Sequence, residues 1–559
     1  MRPRRHSPTI ALALALLVAL LHLAGCESRE PAGTSDAGTV TLDTLSADAD
    51  AAHPADADAG ADSAAPLAWG PCDLTKWSGT YPAPGPGVTI ECTTVAVPLD
   101  HAAPEDGRRV SLMVARQLAA QPTSPRRALF FLAGGPGGSS VETSGTIPLY
   151  VAKLAETFDL YYIDQRGTGE SGFLGCQSSQ NAPRDESEWR ACAAEHDAAR
   201  LVFYGTDSAA RDIELVRARL GYAQISLRGG SYGTRLALEY MRLYPARVRA
   251  AVLDGVLAAD TDILSESIGT FDRGMKLLVD DCRASSSCSA LCPDLAADVA
   301  KVRADLAANP ALIKIGTQQA LLGDSDFMSI VQNALYRAAL RFRLPRAVCT
   351  RARGDGRALD QLLSLLLGQT VSGTVDPAPL ADKRGVRRLA GVALEHLARL
   401  PLARVPLAPL SPRGPVAVAP GLQQTIFCRE WMPLGPGVDA LAALQSKQTY
   451  GSLGESLLPR VRACDSWSVG QAPAALGKAV VSDVPTLLLS GALDLQTYPE
   501  WGDQAAKTLS HAKHVVIPHA THSTISVPCA AQLMTSFLVA GSVQGLDTSC
   551  VGAISAPAW

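Results

Sequence analysis

Charge is scarce in this chain, and neither sign dominates. Only 19% of its 559 residues are charged, below the quarter usual for soluble domains. Its 54 acidic and 50 basic residues nearly cancel, leaving a formal charge of −4. That balance excludes a sequence-wide nucleic-acid-binding surface. Long apolar runs are lacking as well. Past residue 25 none reaches the ~20 residues of a membrane-spanning helix, so a polytopic membrane protein is excluded. The 13 cysteines contain no CxxC spacing. With 47% hydrophobic residues the chain is not disordered. It can bury a core large enough to fold without metal or disulfide staples. Length alone suggests several domains, although single-core folds with insertions also reach this size.

The amino-terminal residues read as an export signal. Arg2, Arg4 and Arg5 precede an uncharged apolar stretch from Thr9 to Ala24, and Gly25 and Cys26 follow. A basic head, a short apolar core and small residues before a cut site make a secretory signal. Leu23-Ala24-Gly25-Cys26 resembles the lipobox of bacterial lipoproteins, which makes Cys26 the expected lipidated first residue of the mature chain. The alternative is an ordinary cleaved signal. A lipid would hold the protein at a membrane surface rather than through it. Setting Cys26 aside leaves an even number of cysteines, as pairing in an oxidising compartment requires. Short-range candidates are Cys72–Cys92, Cys176–Cys192 and Cys529–Cys550, and Cys428 with Cys464 is another. Cys282, Cys288, Cys292 and Cys349 cluster with their pairing open; zinc on the first three is the weaker reading.

Residues 1–25 are thus expected as signal and 26–66 as a flexible Ala/Asp-rich linker, with too little large apolar surface to offset its ordering entropy. From Trp69 the pattern becomes globular. Short apolar runs such as Ala128–Ala133, Phe158–Asp164, Ile225–Arg228, Arg249–Asp254 and Val484–Ser490 alternate with helical stretches. One helix is expected over Thr206–Leu220, with Thr206 as its cap and Gly221 as its stop. The alternation points to an α/β fold, a mostly parallel sheet covered on both faces. Residues 67–258 and 481–559 are read as its two parts, and 259–480 as a mainly helical insertion.

Gly229-x-Ser231-x-Gly233 lies between an apolar strand and a helix, the context of a nucleophile elbow. A serine nucleophile needs a base, and the base an orienting carboxylate. Asp494 follows the strand Val484–Ser490, and His522 follows the strand begun by His514. Both lie past carboxyl ends of strands, where open α/β sheets place ligands. The alternatives are a turn-forming Asp and a surface His. Backbone donors for a developing oxyanion are expected from Tyr232 and from Gly134 or Gly135 in the glycine loop after Ala133. Two further patterns are set aside. His511, His514, His519 and His522 repeat an HxxH spacing, but no helix puts the pairs on one face, and no metal site is assigned. Gly167-x-Gly169-x-x-Gly172 matches a dinucleotide fingerprint, yet no amphipathic helix starts inside it, and no cofactor is expected.

Four motifs, Ala133–Ser139, Asp164–Ser171, Gly229–Gly233 and the Asp494/His522 pair, together resemble the prolyl aminopeptidase-like α/β-hydrolases. The likeness is nearest to the secreted tripeptidyl aminopeptidases of bacteria and runs from about Trp69 to Cys550. Departures are Ala133, where many relatives carry His, and Ala520-Thr521 before His522. The resemblance implies an α/β-hydrolase fold with a helical cap, Ser231 as nucleophile, His522 as base and Asp494 as its orienter. It also implies peptide substrates with a free amino terminus. Cys428-Arg429-Glu430-Trp431 resembles a cap segment of that family, and Glu430 is a candidate for binding the substrate ammonium. The same triad could instead serve an esterase or another acyl-hydrolase. A non-catalytic surface-binding lipoprotein is a third reading.

Overall fold

The computed structural model describes residues 66–73, 88–145, 150–179, 183, 185–316, 318–374, 418–450, 454–556 and 558–559. The expected signal, Cys26 and all of the linker but Pro66 lie outside them.

Twelve strands are formed among the described residues: β1 Gly70–Pro71, β2 Glu91–Pro98, β3 Arg109–Gln117, β4 Arg127–Leu132, β5 Phe158–Ile163, β6 Ile225–Gly230, β7 Val248–Asp254, β8 Ala311–Ile315, β9 Gln318–Leu322, β10 Val371–Ser372, β11 Thr486–Gly491 and β12 Ala512–Ile517. Nine make one sheet in the order β1-β2-β3-β5-β4-β6-β7-β11-β12. From β5 to β12 every neighbouring pair is parallel, while β1, β2 and β3 add an antiparallel edge. The residue pattern explains the division. In β2 the burial alternates, with Val95 and Val97 inside and Thr94 and Ala96 exposed, as a strand with one wet face requires. In β5 and β11 every residue is buried, because helices cover both faces.

Alternate residues of the central strands feed two separate cores. Ala128, Phe130 and Leu132 of β4 join Tyr161, Leu227 and Leu253 on one face. Leu129 and Phe131 join Leu160, Tyr162, Val252 and Leu489 on the other. Each such side chain contributes about 1.5–3 kcal/mol on burial, and a one-residue slip would exchange the two faces. Helices Thr206–Arg219, Tyr232–Leu243 and Pro499–Ala506 cover the first face, and Pro528–Ala540 the second. The helix starting at Thr206 has Gly205, not Thr206, at its N-cap. Gly221 follows its end with φ +77°, a conformation that suits glycine.

The insertion is less uniform than the helical texture suggested. Residues from Phe271 to Val371 enclose a core of their own and include the antiparallel sheet β10-β8-β9. The returning segment behaves differently. Ala419, Leu422, Phe427, Leu441 and Val461 pack into the first core of the main sheet, so this stretch belongs to the body as much as to the cap.

Six disulfides form among the described residues. Four are the short-range pairs expected, Cys72–Cys92, Cys176–Cys192, Cys428–Cys464 and Cys529–Cys550. The open cluster resolves into Cys282–Cys288 and Cys292–Cys349. That pairing removes the three thiolates a zinc site would have used.

Candidate active site

β6 ends at Gly230, and the next residue, Ser231, sits at φ 54°, ψ −125° before the helix Tyr232–Leu243. A non-glycine residue held there stores on the order of 1–3 kcal/mol of strain and persists only where its surroundings dictate it. Here they do. Ser231 N–H donates to the carbonyl of Asp254 (2.9 Å), and the Ser231 carbonyl accepts from Thr234 N–H (2.8 Å) and Oγ1 (2.6 Å). The two flanking glycines have steric reasons. A Cβ on Gly229 would lie 2.4 Å from the carbonyl oxygen of Gly233, and one on Gly233 would lie 2.2 Å from that of Leu132. The turn therefore closes only with small residues on both sides of the serine.

Asp494 and His522 meet across the ends of β11 and β12. His522 Nδ1 donates to Asp494 at 3.1 Å to Oδ1 and 3.0 Å to Oδ2. Asp494 is fully buried, and its remaining capacity is filled. Oδ1 accepts from the N–H groups of Gln496 (2.8 Å) and Thr497 (3.1 Å), and Oδ2 accepts from Thr497 Oγ1 (2.7 Å). A carboxylate held by three donors besides the imidazole keeps Nδ1 as the protonated nitrogen and leaves Nε2 as the base. Burial works against the imidazolium, but the charge and hydrogen bond of Asp494 outweigh it. With help from Asp254 they hold His522 above the ordinary histidine value, with Arg228 opposing.

The glycine loop after β4 lies against the serine. A Cβ on Gly134 would come within 2.9 Å of Ser231 Cβ. Among the described residues the N–H groups of Gly134, Gly135 and Tyr232 donate to no protein acceptor, so all three are free for an incoming oxyanion. The loop's shape is set from behind. Asp164 Oδ1 accepts from Ser139 Oγ (2.6 Å) and Val141 N–H (3.0 Å), and its Oδ2 accepts from Glu170 N–H (3.1 Å). The glycine-rich Asp164–Ser171 segment thus buttresses the loop, and no helix starts inside it. Arg166 of the same segment is fully buried and pairs with Asp212 at 2.6 Å.

Glu430 lies apart from open space. It is buried, and Thr206 donates to both its oxygens, through N–H (2.7 Å) and Oγ1 (2.7 Å). Since Gly205 has no side chain to cap the helix Thr206–Arg219, Glu430 supplies that cap from the insertion. Thr206 Oγ1 also bonds Tyr232 Oη at 2.7 Å, which places Glu430 two hydrogen bonds from the residue after the serine. Glu430→Ala is expected to lower stability by about 1–3 kcal/mol. Chemical denaturation, read together with activity at a temperature where the variant is folded, separates this cap from a binding role. The carboxylate near the glycine loop with spare capacity is Glu142. Its Oε2 is buried without a hydrogen-bond partner, and burial, with Asp164 and Glu170, pushes its pKa up to about 8.

The remaining histidines do not converge. His511 Nδ1 bonds the carbonyl of Asp483 at 2.9 Å, and His519 packs edge-on to Phe342. His514 bonds Asp503 (2.7 Å) and Ser490 Oγ (3.0 Å). Ser490, His514 and Asp503 share the residue types of a catalytic triad. Ser490, however, is fully buried in β11, paired with Val516 of β12, where no carbonyl carbon can reach it. Among the described residues no cluster of His, Cys, Asp and Glu could hold a metal ion.

A family model described as alpha/beta hydrolase fold matches residues 127–316, the segment that contains β4, β5, β6, the serine and β7. The chain has the α/β-hydrolase fold. A second model, described as TAP-like protein, matches residues 450–550, which contain Asp494 and His522. The chain is 31% identical over 196 residues to a tripeptidyl aminopeptidase of Streptomyces lividans, covering 31% of this chain and 36% of that protein. It is 29% identical over 259 residues to the serine protease Hip1 of Mycobacterium tuberculosis, covering 42% and 48%. It is 32% identical over 145 residues to a proline iminopeptidase of Neisseria gonorrhoeae, covering 25% and 37%. The matches thus span a third to a half of these relatives' lengths. On this hydrolase scaffold the sequence motifs for Ser231, Asp494, His522, Tyr232, Gly134 and Gly135 all fall at the carboxyl edge of one sheet. Thr497 and Asp254 were not singled out in the sequence. Nothing in a lone Thr or a strand-end Asp announces that it will face a histidine.

Proposed function

We propose that this protein is an exported serine exopeptidase that hydrolyses peptide bonds near a free amino terminus. The observation that carries the proposal is Ser231, strained at φ 54° beside three unpartnered N–H groups. Ser231 Oγ attacks the scissile carbonyl carbon as its proton passes to His522 Nε2. The tetrahedral oxyanion is received by Tyr232 N–H and the Gly134 or Gly135 N–H. Its collapse breaks the C–N bond, and the amine leaves with the proton from His522. Water then attacks the acyl-enzyme by the same path. Among the described residues Ser231 Oγ makes no hydrogen bond to His522. In this mechanism that contact tightens when substrate closes the site, as such contacts commonly do.

The aminopeptidase reading is supported by the relatives' printed activities. Export with a lipid on Cys26 is supported by the basic and apolar leader and by the six disulfides, which suit an oxidising compartment. The experiment is a substrate panel of a tripeptidyl anilide, its N-blocked twin and a simple ester. A preference of 100-fold or more for the free amine is expected. Equal rates on the blocked substrate, or turnover of the ester alone, would replace the exopeptidase with an endopeptidase or an esterase.

A further inference from the structure

Asp254 ends β7 and touches both moving parts of the reaction. Its carbonyl accepts from Ser231 N–H at 2.9 Å. Its Oδ1 accepts from Thr524 N–H (3.1 Å) and Thr524 Oγ1 (2.7 Å), two residues beyond His522. Its Oδ2 pairs with Arg228 of β6 at 2.5 Å. Both side chains of the pair are nearly excluded from solvent, and Arg228 Nε has no hydrogen-bond partner. The N–H of the following residue, Gly255, donates to the carbonyl of Leu489 in β11. One residue thus ties the nucleophile turn, the histidine loop and the strand that leads to Asp494.

We infer that Asp254 and Arg228 form a positioning pair which fixes Ser231 and the His522 loop in register. This rests on the serine-hydrolase reading above. The charged groups acting on His522 are Asp494 from the loop after β11, Asp254 from β7 and Arg228 from β6. Asp254 favours the imidazolium and Arg228 disfavours it. A buried pair could serve packing alone, and a hydrophobic replacement would then do as well. The electrostatic role makes a prediction that packing does not: the two single substitutions must move the pH profile in opposite directions.

The rate of fluorophosphonate labelling of Ser231 is measured against pH, because it reports the base without knowledge of the natural substrate. Asp254→Asn keeps an oxygen for Thr524, removes the charge and turns an amide N–H group toward Arg228. The acid limb of its profile is expected at lower pH than in the unaltered protein. Arg228→Gln is expected to raise the limb by a similar amount, and the double variant to return it near its starting position. Should Asp254→Asn fail to fold with Arg228 left unpaired, Arg228→Gln and the double variant carry the test. Limbs that coincide in all folded variants would overturn the role given to the pair. Absence of labelling in the unaltered protein would instead overturn the serine-hydrolase reading itself.

Discussion

Ser231→Ala is expected to lose peptide hydrolysis by roughly four to six orders of magnitude, the scale seen when a triad nucleophile is removed, and to lose fluorophosphonate labelling altogether. Its stability should hardly change. The substitution removes only Oγ, which makes no hydrogen bond among the described residues. The bonds that fix the turn use the Ser231 backbone, its N–H to Asp254 and its carbonyl to Thr234. Alanine carries the same Cβ as serine, so it meets the same strain at φ 54°. Denaturation midpoints should therefore agree within about 0.5 kcal/mol, the range of substitutions that touch no structural feature. Activity lost together with stability would point to a structural serine. Activity retained would remove Ser231 from the mechanism.

Asp494→Asn should be the second largest effect, a fall of about 10⁴ in kcat with the chain still folded. The asparagine amide would present N–H groups where the carboxylate now accepts from His522 Nδ1 and Thr497 Oγ1. With a donor facing Nδ1, the imidazole takes the other tautomer, and Nε2 can no longer accept the Ser231 proton. The pH dependence separates this from simple misfolding. In the unaltered protein Asp494 holds His522 above the ordinary histidine value, so activity is present above that raised pKa and lost as pH falls through it. Without the carboxylate the pKa drops, and the residual activity should extend to lower pH. A pH–rate profile of the variant checks the sign. An unchanged acid limb would mean that Asp494 does not act on the titrating base.

The cap bears on this acid as well. Leu495, next to Asp494, is buried in the core formed by residues 271–371. Gly274 of the helix Ile263–Ala284 leaves the room it needs, since a Cβ there would lie 2.5 Å from Leu495 Cδ2. The loop bearing Asp494 is thus fastened between the sheet and the insertion.

Much of this was legible along the chain. The apolar runs that became β4, β5, β6, β7 and β11 stand out because strands covered on both faces need no polar alternation. The elbow showed in its glycines, whose absent side chains the structure explains atom by atom. Spacing offered Cys72–Cys92, Cys176–Cys192, Cys529–Cys550 and Cys428–Cys464 as candidates, and the structure makes all four bonds. Glu430 was legible as a residue but not as a cap, because its partner Thr206 is 224 positions away. The short strands β8, β9 and β10 were hidden in a helix-rich stretch whose pattern of alternation is only a few residues long. The split of the insertion between two cores was equally hidden, since apolar residues do not say which apolar surface they will meet.

By itself, then, the sequence marked the turn at Ser231, because residue types and the strand-to-helix context of Ser231 are local properties. Asp494 and His522 stood out along the chain by their places after apolar strands, and tertiary structure brought them to 3.0 Å of each other. It placed His522 on Asp494 and left His514 with a buried serine. It also brought Thr497 to the same imidazole and tied Thr524, two residues beyond it, to Asp254. The physical reason is the parallel sheet, which aligns strand ends far apart in sequence at one edge, where hydrogen bonds of about 3 Å select partners that no spacing rule contains.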